Sequence, residues 1–467
     1  MENKVALGDI CGIKYGKDHK KLDDGAIPVY GSGGVIRYIE RALWDKPSVL
    51  IPRKGTLGNL FFVDKPFWTV DTLFWTDIDE SCVLPKYLFY QLKTKDLANL
   101  NVGTAVPSLT VDVLNEVEIH LPPLETQKQA TEVLSVLDNK IAANVKLNGY
   151  LEELFDLEFR RFLEKSDSNW ETVSLLDVAD YKNGLAMQKF RPSAGDKGLP
   201  VLKIRELGQE SCENDAERCR SDIDESVVVH DGDLVFSWSG TLLLKFWAGG
   251  DAGLNQHLFK VTSRAYPSWF YYAWTKHHLG RFIMLAKDRA TTMGHIKRSA
   301  LEESKVLLPP DAMLVEQTRH MQPIINQLVA NKIENRKLAA LRDALLPKFM
   351  SGEIDVSKVD LTQLNSHLGE YAILNRAICV LRLAPHSRSR ALLLHLVHLL
   401  VYIGDGIVTI RFRRLAGETA RGKVCPSHSM SEGAHHDRRQ LPSSEQPKPL
   451  PVDVPNGLPG AAAAIAA

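Results

Sequence analysis

The chain has 467 residues, 44% hydrophobic and 24% charged, with 57 Lys+Arg balancing 57 Asp+Glu. That length exceeds one ordinary core, and that composition excludes a disordered or fibrous chain. The neutrality hides an asymmetry: residues 376–467 hold 12 Lys+Arg and 6 Asp+Glu, which leaves 45 and 51 for residues 1–375, a net of −6. Such a body cannot grip a polyanion by bulk charge, and needs local basic surfaces or a basic partner to do so.

Glu2, Lys4 and Asp9 interrupt any secretory leader at the start of the chain. The six cysteines (Cys11, Cys82, Cys212, Cys219, Cys379 and Cys425) are scattered and form no C-x-x-C pair. Reduced thiols in a cytoplasmic protein are the simplest expectation. The most apolar run, Ala391 to Ile403, has 13 residues and contains His395 and His398. It is shorter than the roughly 20 residues of a spanning helix, so no membrane partner is expected.

Read in order, the chain repeats itself. ALGDICGIKYG at 6–16 returns as SLLDVADYKNG at 174–184, and IPV at 27–29 as LPV at 199–201. VLIPRKGTL at 49–57 meets LVFSWSGTL at 234–242, Thr72-Leu73-Phe74 meets His257-Leu258-Phe259, and HLPP at 120–123 meets LLPP at 307–310. Each copy opens with short β-rich runs and turn signals, such as PVYGSGGVIRYI and DGDLVFSWSG. The spacing predicts two helices within them, around Lys86–Lys93 and Pro267–Arg281. A Leu-Pro-Pro then starts a long helix, as proline does at helix entrances.

From Glu125 to Phe162 the apolar residues Ala130, Leu134, Leu137, Ile141, Leu151 and Phe155 alternate in threes and fours, broken by Asn144 and Asn148. This is a heptad seam. The second copy repeats it with Met321, Ile324, Leu328 and Leu338, broken by Asn331 and Asn335. A duplicated domain-plus-helix unit implies a pseudo-twofold axis, hence antiparallel helices. Setting the asparagines face to face, so that facing numbers add to 479, also places Ile141 on Leu338, Leu151 on Leu328, Phe155 on Ile324 and Leu134 on Leu345. Leu137 on Arg342 is the misfit.

Chemistry-bearing motifs are sparse. Both Pro-Pro pairs follow Leu, not Asn or Asp, so no methyltransferase motif surrounds a target base. GSGG at 31–34 lies between β runs and is read as a turn, and no Walker-type loop occurs. Asp288, Glu303 and Lys305 mimic a nuclease carboxylate–lysine set. The first copy has Glu116 and Glu118 at the last two positions, which favours an ordinary charged face.

The duplication, the Leu-Pro-Pro entries and the paired helices resemble the specificity subunits of type I restriction–modification systems. GSGGVIRY, IPRKGTLGNLFFVDKPFWTVDTLFW, VPSLTVDVLNEVEIHLPPLETQKQATEVLSVLDNKIAANVKLN and LLPKFMSGEID carry the resemblance over residues 4 to about 357. It implies an α+β fold: two pseudo-repeated target-recognition domains joined by two long antiparallel coiled-coil helices. The domains would be 1–123 and 166–310, the spacer helices 124–165 and 311–357, and 358–467 an unassigned tail. It further implies a non-catalytic reader of a split double-stranded DNA target, flanked by two methyltransferase (modification) subunits and motor-endonuclease (restriction) subunits. The chain would have no cofactor or metal of its own, with S-adenosylmethionine, ATP and Mg²⁺ used by those partners. A stand-alone scaffold or orphan recognition subunit is the alternative.

Candidate DNA contacts are basic and hydrogen-bonding side chains on predicted loops. In the first copy these are Lys20, Lys21, Arg37, Arg53, Lys54, Thr56 and Asn59, with Arg53-Lys54-Gly-Thr56 the best placed. In the second they are Lys189, Arg191, Arg205, Ser237, Ser239, Lys245, Thr291 and Lys297. Asn144, Asn148, Asn331 and Asn335 are assigned to helix register. Because residues 370–467 match neither repeat, their removal should leave complex assembly and DNA recognition intact, checked by co-purification and DNA binding of the truncated chain.

Overall fold

The structure, a computed structural model, describes residues 4–103, 106–288 and 294–356. Every described residue belongs to one compact unit. The tail and Thr291 lie outside the described residues.

The first head is built on a four-stranded antiparallel sheet in the order Cys11–Tyr15, Leu73–Ile78, Ser48–Pro52, Phe61–Val63. The second head repeats that order with Asp180–Asn183, Leu258–Thr262, Leu234–Ser237 and Leu244–Phe246. A second sheet also recurs. In it Asp24–Gly31 runs parallel to Trp68–Thr69, and Leu199–Leu202 runs parallel to Ala252–Leu254. Apolar runs such as SVLIP (48–52) and LVFS (234–237) are buried throughout, as strands covered on both faces must be. GSGG is a tight hairpin turn between Asp24–Gly31 and Gly34–Ile39. Phe67, Trp68 and Trp75 are core residues.

Two long helices, Leu124–Leu163 and Asp311–Ser351, leave the heads. Each starts after a proline held extended, Pro123 (φ −52°, ψ 148°) and Pro310 (φ −54°, ψ 144°). Proline cannot donate inside a helix but suits its entrance. The second ends on Gly352 at φ +78°, the left-handed cap that glycine adopts without strain. The shorter helices are Pro85–Lys93 and Ser268–Asp288, the latter a turn or two longer than its apolar pattern indicates.

Each long helix contributes to both cores. Ala130, Val133 and Leu134 enter the first head's core together with Leu346, Phe349 and Met350 from the far end of the second helix. Phe155, Phe159 and Phe162 enter the second head's core together with Met321, Ile324 and Leu328. Polar ties reinforce the arrangement. Gln91 Nε2 donates to the Met350 carbonyl at 2.8 Å, and Asp231 receives two bonds of 2.8 Å from Arg336. Glu210 pairs with Lys332 and Lys245 at 3.0 and 2.9 Å. Burial would push the Glu210 carboxyl up, but these two ammonium groups outweigh it and hold it below its ordinary value.

Between the heads the helices run antiparallel with the four asparagines opposed. Asn144 Nδ2 donates to Asn335 Oδ1 at 2.9 Å and to Glu334 Oε2 at 2.7 Å. Asn331 Nδ2 donates to Asn148 Oδ1 at 2.8 Å, and Asn148 Nδ2 to the Leu328 carbonyl at 3.3 Å. Leu151, Phe155, Ile324 and Leu328 are buried beside them, whereas Ile141 and Leu338 are only half-buried. Arg342 does not sit on Leu137. It turns to Asp138 at 2.9 Å, whose other oxygen accepts from Tyr90 at 2.6 Å, so the misfit layer is converted into a polar tie to the first head.

Asn144 Oδ1 is buried without a partner, while Asn331 Oδ1 accepts from Gln327 at 2.7 Å. Paired replacement of Asn144 and Asn335 by leucine should therefore raise the melting temperature. Asn331→Leu alone should lower stability by about 1–3 kcal/mol, because it strands the amides of Asn148 and Gln327. Thermal and urea unfolding of the three proteins check both signs.

Candidate nucleic-acid interface

The two heads carry the same loop scaffold at the edge of their main sheets. In the first, the strand Ser48–Pro52 runs into Arg53-Lys54-Gly55-Thr56. Residues 101–103 and 106–109 form a strap laced onto it: Gly55 N donates to the Pro107 carbonyl at 3.1 Å and Leu109 N to the Arg53 carbonyl at 3.0 Å, with a bridge between Lys54 and Ser108. Asn101 Oδ1 closes the strap by accepting from Gly103 N and Ser108 N at 2.8 and 2.7 Å. In the second head Gly240 N donates to the Gly294 carbonyl at 2.9 Å and Ile296 N to the Trp238 carbonyl at 3.0 Å, with a bridge between Ser239 and His295. Gly55 and Gly240 have φ of +91° and +62°, a backbone turn that side-chain-bearing residues resist.

On this common backbone Arg53 and Trp238 are equivalent. Arg53 Nη1 donates to the Asp71 carbonyl at 3.0 Å, and Trp238 Nε1 donates to the matching Gln256 carbonyl at 3.2 Å. The Arg53 guanidinium also lies 5.4 Å from the centre of the Tyr15 ring, a cation–π contact. Arg53 is thus an anchor of its loop as well as a cation. The indole of Trp238 anchors the second loop without charge, among His257, Phe259 and His295.

The remaining candidates divide by what they touch. Lys54 and Thr56 are exposed, and Asn59 Nδ2 donates to the Ser32 carbonyl at 2.7 Å, drawing the hairpin tip to the loop. Tyr15, Val35, Ile36, Val102 and Val106, all on elements that meet there, are exposed apolar side chains. Lys20 and Lys21 are exposed on the preceding turn. Arg37 is held by Asp24 at 2.6 Å and by the Leu22 carbonyl at 3.1 Å. In the second head Lys189 and Lys297 are exposed. Arg191 pairs with Glu217, Arg205 with Glu206 and Asp215, and Lys245 with Glu210. Hydrogen bonding from Lys203 holds the Glu217 carboxyl below its usual value against the opposing pull of desolvation.

Two assignments need correction. Ser237 is fully buried, its hydroxyl donating to the Thr241 carbonyl at 2.6 Å and accepting from Leu243 N at 2.6 Å. Ser239 is 3% exposed and bonds His257 Nδ1 at 3.0 Å. A hydroxyl in a tight turn is closer to its own backbone than to any ligand, so both serines shape the loop from inside. Of the nuclease-like trio, Glu303 is paired with Arg281 at 3.3 Å and Lys305 lies in the strand Lys305–Leu308.

Sequence reasoning missed Lys182, Lys260, Arg264 and Arg298, which line one groove on the second head with Asp180, Asn183, Ser226 and Thr262. The alternation of Lys260 and Thr262 at the end of one strand, with Arg264 two residues beyond it, was the available signal. Among the described residues no group of His, Cys, Asp and Glu could hold a metal ion, and no helix is long and apolar enough to cross a membrane. The run 391–403 is outside those residues. What the loop clusters present is hydroxyl, amide, guanidinium and ammonium donors beside apolar groups, the chemistry that meets base edges, thymine methyls and phosphate oxygens.

A family model described as the type I restriction modification DNA specificity domain matches residues 2–153 and 167–342. The MjaIX specificity subunit of a type I restriction enzyme from Methanocaldococcus jannaschii is 24% identical over 354 residues, 68% of this chain and 80% of that protein. The MjaVIII specificity subunit of the same organism is 33% identical over 141 residues, 26% of this chain and 32% of that one. The crystal structure of the type I restriction–modification S subunit from M. genitalium superposes with a TM-score of 0.52 at 14% identity, covering 75% of this chain and 96% of that one, a likeness of fold. One family match falls on each copy of the duplicated body, with its loop scaffold and long helix, and the chain belongs to the type I restriction–modification DNA specificity family, the subunits that recognise DNA sequence in those systems.

Proposed function

We propose that each head reads one half of a split duplex target and that the paired helices fix the gap between the halves. The observation that carries this is one loop scaffold built twice with different side chains: Arg53 with the exposed Lys54 and Thr56 in one head, Trp238 with a buried Ser239 and an exposed Thr241 in the other. Equal scaffolds place equal positions on DNA, and unequal donors there select different bases. The pseudo-twofold arrangement suits two modification (methyltransferase) subunits, one per head, with motor-endonuclease subunits joining them for restriction. S-adenosylmethionine, ATP and Mg²⁺ belong to those partners, as do base flipping and methyl transfer. This chain supplies register and orientation.

Replacing residues 170–307 with the corresponding segment of another such subunit should change one half of the methylated target and leave the other half intact, read by methylation-sensitive sequencing of host DNA. Changes in both halves would refute independent reading.

Lys54→Ala should lower the slope of log affinity against log salt by about one unit without altering thermal stability, since Lys54 is exposed. Arg53→Ala should lower the melting temperature as well, by the loss of its bond to Asp71 and its contact with Tyr15. Salt titrations and melting curves of the assembled complex separate the two effects.

A further inference from the structure

The groove on the second head lies where the sheet strands Asp180–Asn183 and Leu258–Thr262 meet the first turn of the short helix Arg298–Glu302. Lys182 stands directly across from Lys260 in the strand register, and Asp180 across from Thr262. Arg264 follows two residues after the strand ends, and Arg298 closes the side, donating Nη1 to the Tyr181 carbonyl at 3.3 Å.

Lys260 is neutralised by Asp233 at 2.8 Å. Lys182, Arg264 and Arg298 have no carboxylate within ion-pair distance among the described residues; Asp180 is the one acid lining the groove, and Lys182 acts at longer range on Asp224. On a body whose net charge is negative, three cations without a direct ion pair converge on one concavity, and like charges held together repel unless an anion joins them. This contrasts with Arg191, Arg205 and Lys245, whose charges are met by acids of their own head.

The groove is also continuous with the loop scaffold. Arg298 follows two residues after Ile296, whose N–H is laced to Trp238. Asn183, at the other end of its strand, faces Phe259 beneath the Trp238 ring. An extended polyanion lying along the loop would pass over the groove next.

The first head is not built this way. Register puts Lys14 where Lys182 stands, but Trp75 at the place of Lys260. Asp77 takes the place of Thr262, Asp79 that of Arg264, and Val111 opens the short helix that Arg298 opens in the second head. Four basic residues in one copy are matched in the other by one lysine, Lys14, and two aspartates stand where Thr262 and Arg264 do.

We infer that this groove seats the phosphodiester backbone of duplex DNA, and that it does so on the second head alone. The inference rests on the DNA-reading role proposed above. Its contacts are to phosphate, so they add affinity and orientation without adding sequence information. The complex therefore grips its target asymmetrically, with a backbone hold beside one half-site that the other lacks.

The test uses the assembled complex carrying Lys182→Ala, Arg264→Ala and Arg298→Ala together. It is compared with wild type and with the charge-keeping Lys182→Arg, Arg264→Lys, Arg298→Lys protein. Each is titrated over a range of salt with a duplex holding the mapped target and one lacking it, and footprinted with hydroxyl radicals. The alanine protein should lose about two to three units of salt slope, near 0.9 per contact. Its affinity for both duplexes should fall by the same factor, and backbone protection should vanish beside one half-site only. The charge-keeping protein should retain the wild-type slope and footprint. An unchanged slope, a loss confined to the target duplex, or protection lost at both half-sites would overturn the inference. A wild-type complex that does not prefer its target would instead overturn the reading role, leaving the slope to judge the groove.

Discussion

Everything the two heads do in concert depends on four asparagines meeting across the helix pair. Leucine layers alone would tolerate a slide by one heptad, because every apolar residue would find another. Asn144, Asn148, Asn331 and Asn335 would not, since a slide buries their amides against hydrocarbon. At ~1.5 Å per residue, one heptad is ~10 Å, about three base pairs of duplex. A device that costs some stability thus sets a length, and on the reading proposed above that length is the gap between half-sites.

The loop scaffolds show how one backbone can be reused with another meaning. The laced strap, the left-handed glycine and a side-chain N–H aimed at the same carbonyl recur in both heads. What differs is whether that N–H belongs to a guanidinium or an indole. Geometry is held by the buried and backbone-bonded parts. Selectivity is free to drift at the outward ones, as loops on a rigid frame generally allow.

Much of this was legible in the sequence. The duplication and the Leu-Pro-Pro entries announce the architecture, and the helix register follows from polar breaks at matching seam positions, a local pattern with few alternative solutions. The candidate interface was less so. Whether Arg191, Arg205 or Lys245 is free depends on Glu217, Asp215 and Glu210, and only the folded chain places those acids. The burial of Ser237 and Ser239 depends on loop closure, which a list of polar residue types does not encode. The strap is tied to its loop by backbone groups, which every residue carries, so no side-chain pattern marks it. Arg342 was a misfit in a one-dimensional register because its partner Asp138 lies beside the seam, held there by Tyr90 of the head.

The sharing of each core between two distant helices has a consequence for the order of synthesis. Leu346, Phe349 and Met350 complete the hydrophobic core of the first head, and Gln91 waits for the carbonyl of Met350, 259 residues downstream. At ribosomal rates of roughly 5–20 residues per second, that is a delay on the order of tens of seconds. During it the first head has its sheets but an open flank. The second head, whose helical partners Phe155, Phe159 and Phe162 precede it in the chain, meets no such wait for its first long helix. The nascent N-terminal half is therefore the interval in which this protein is most exposed to chaperones and to pairing with the wrong helix, and the last turn of Asp311–Ser351 is what ends it.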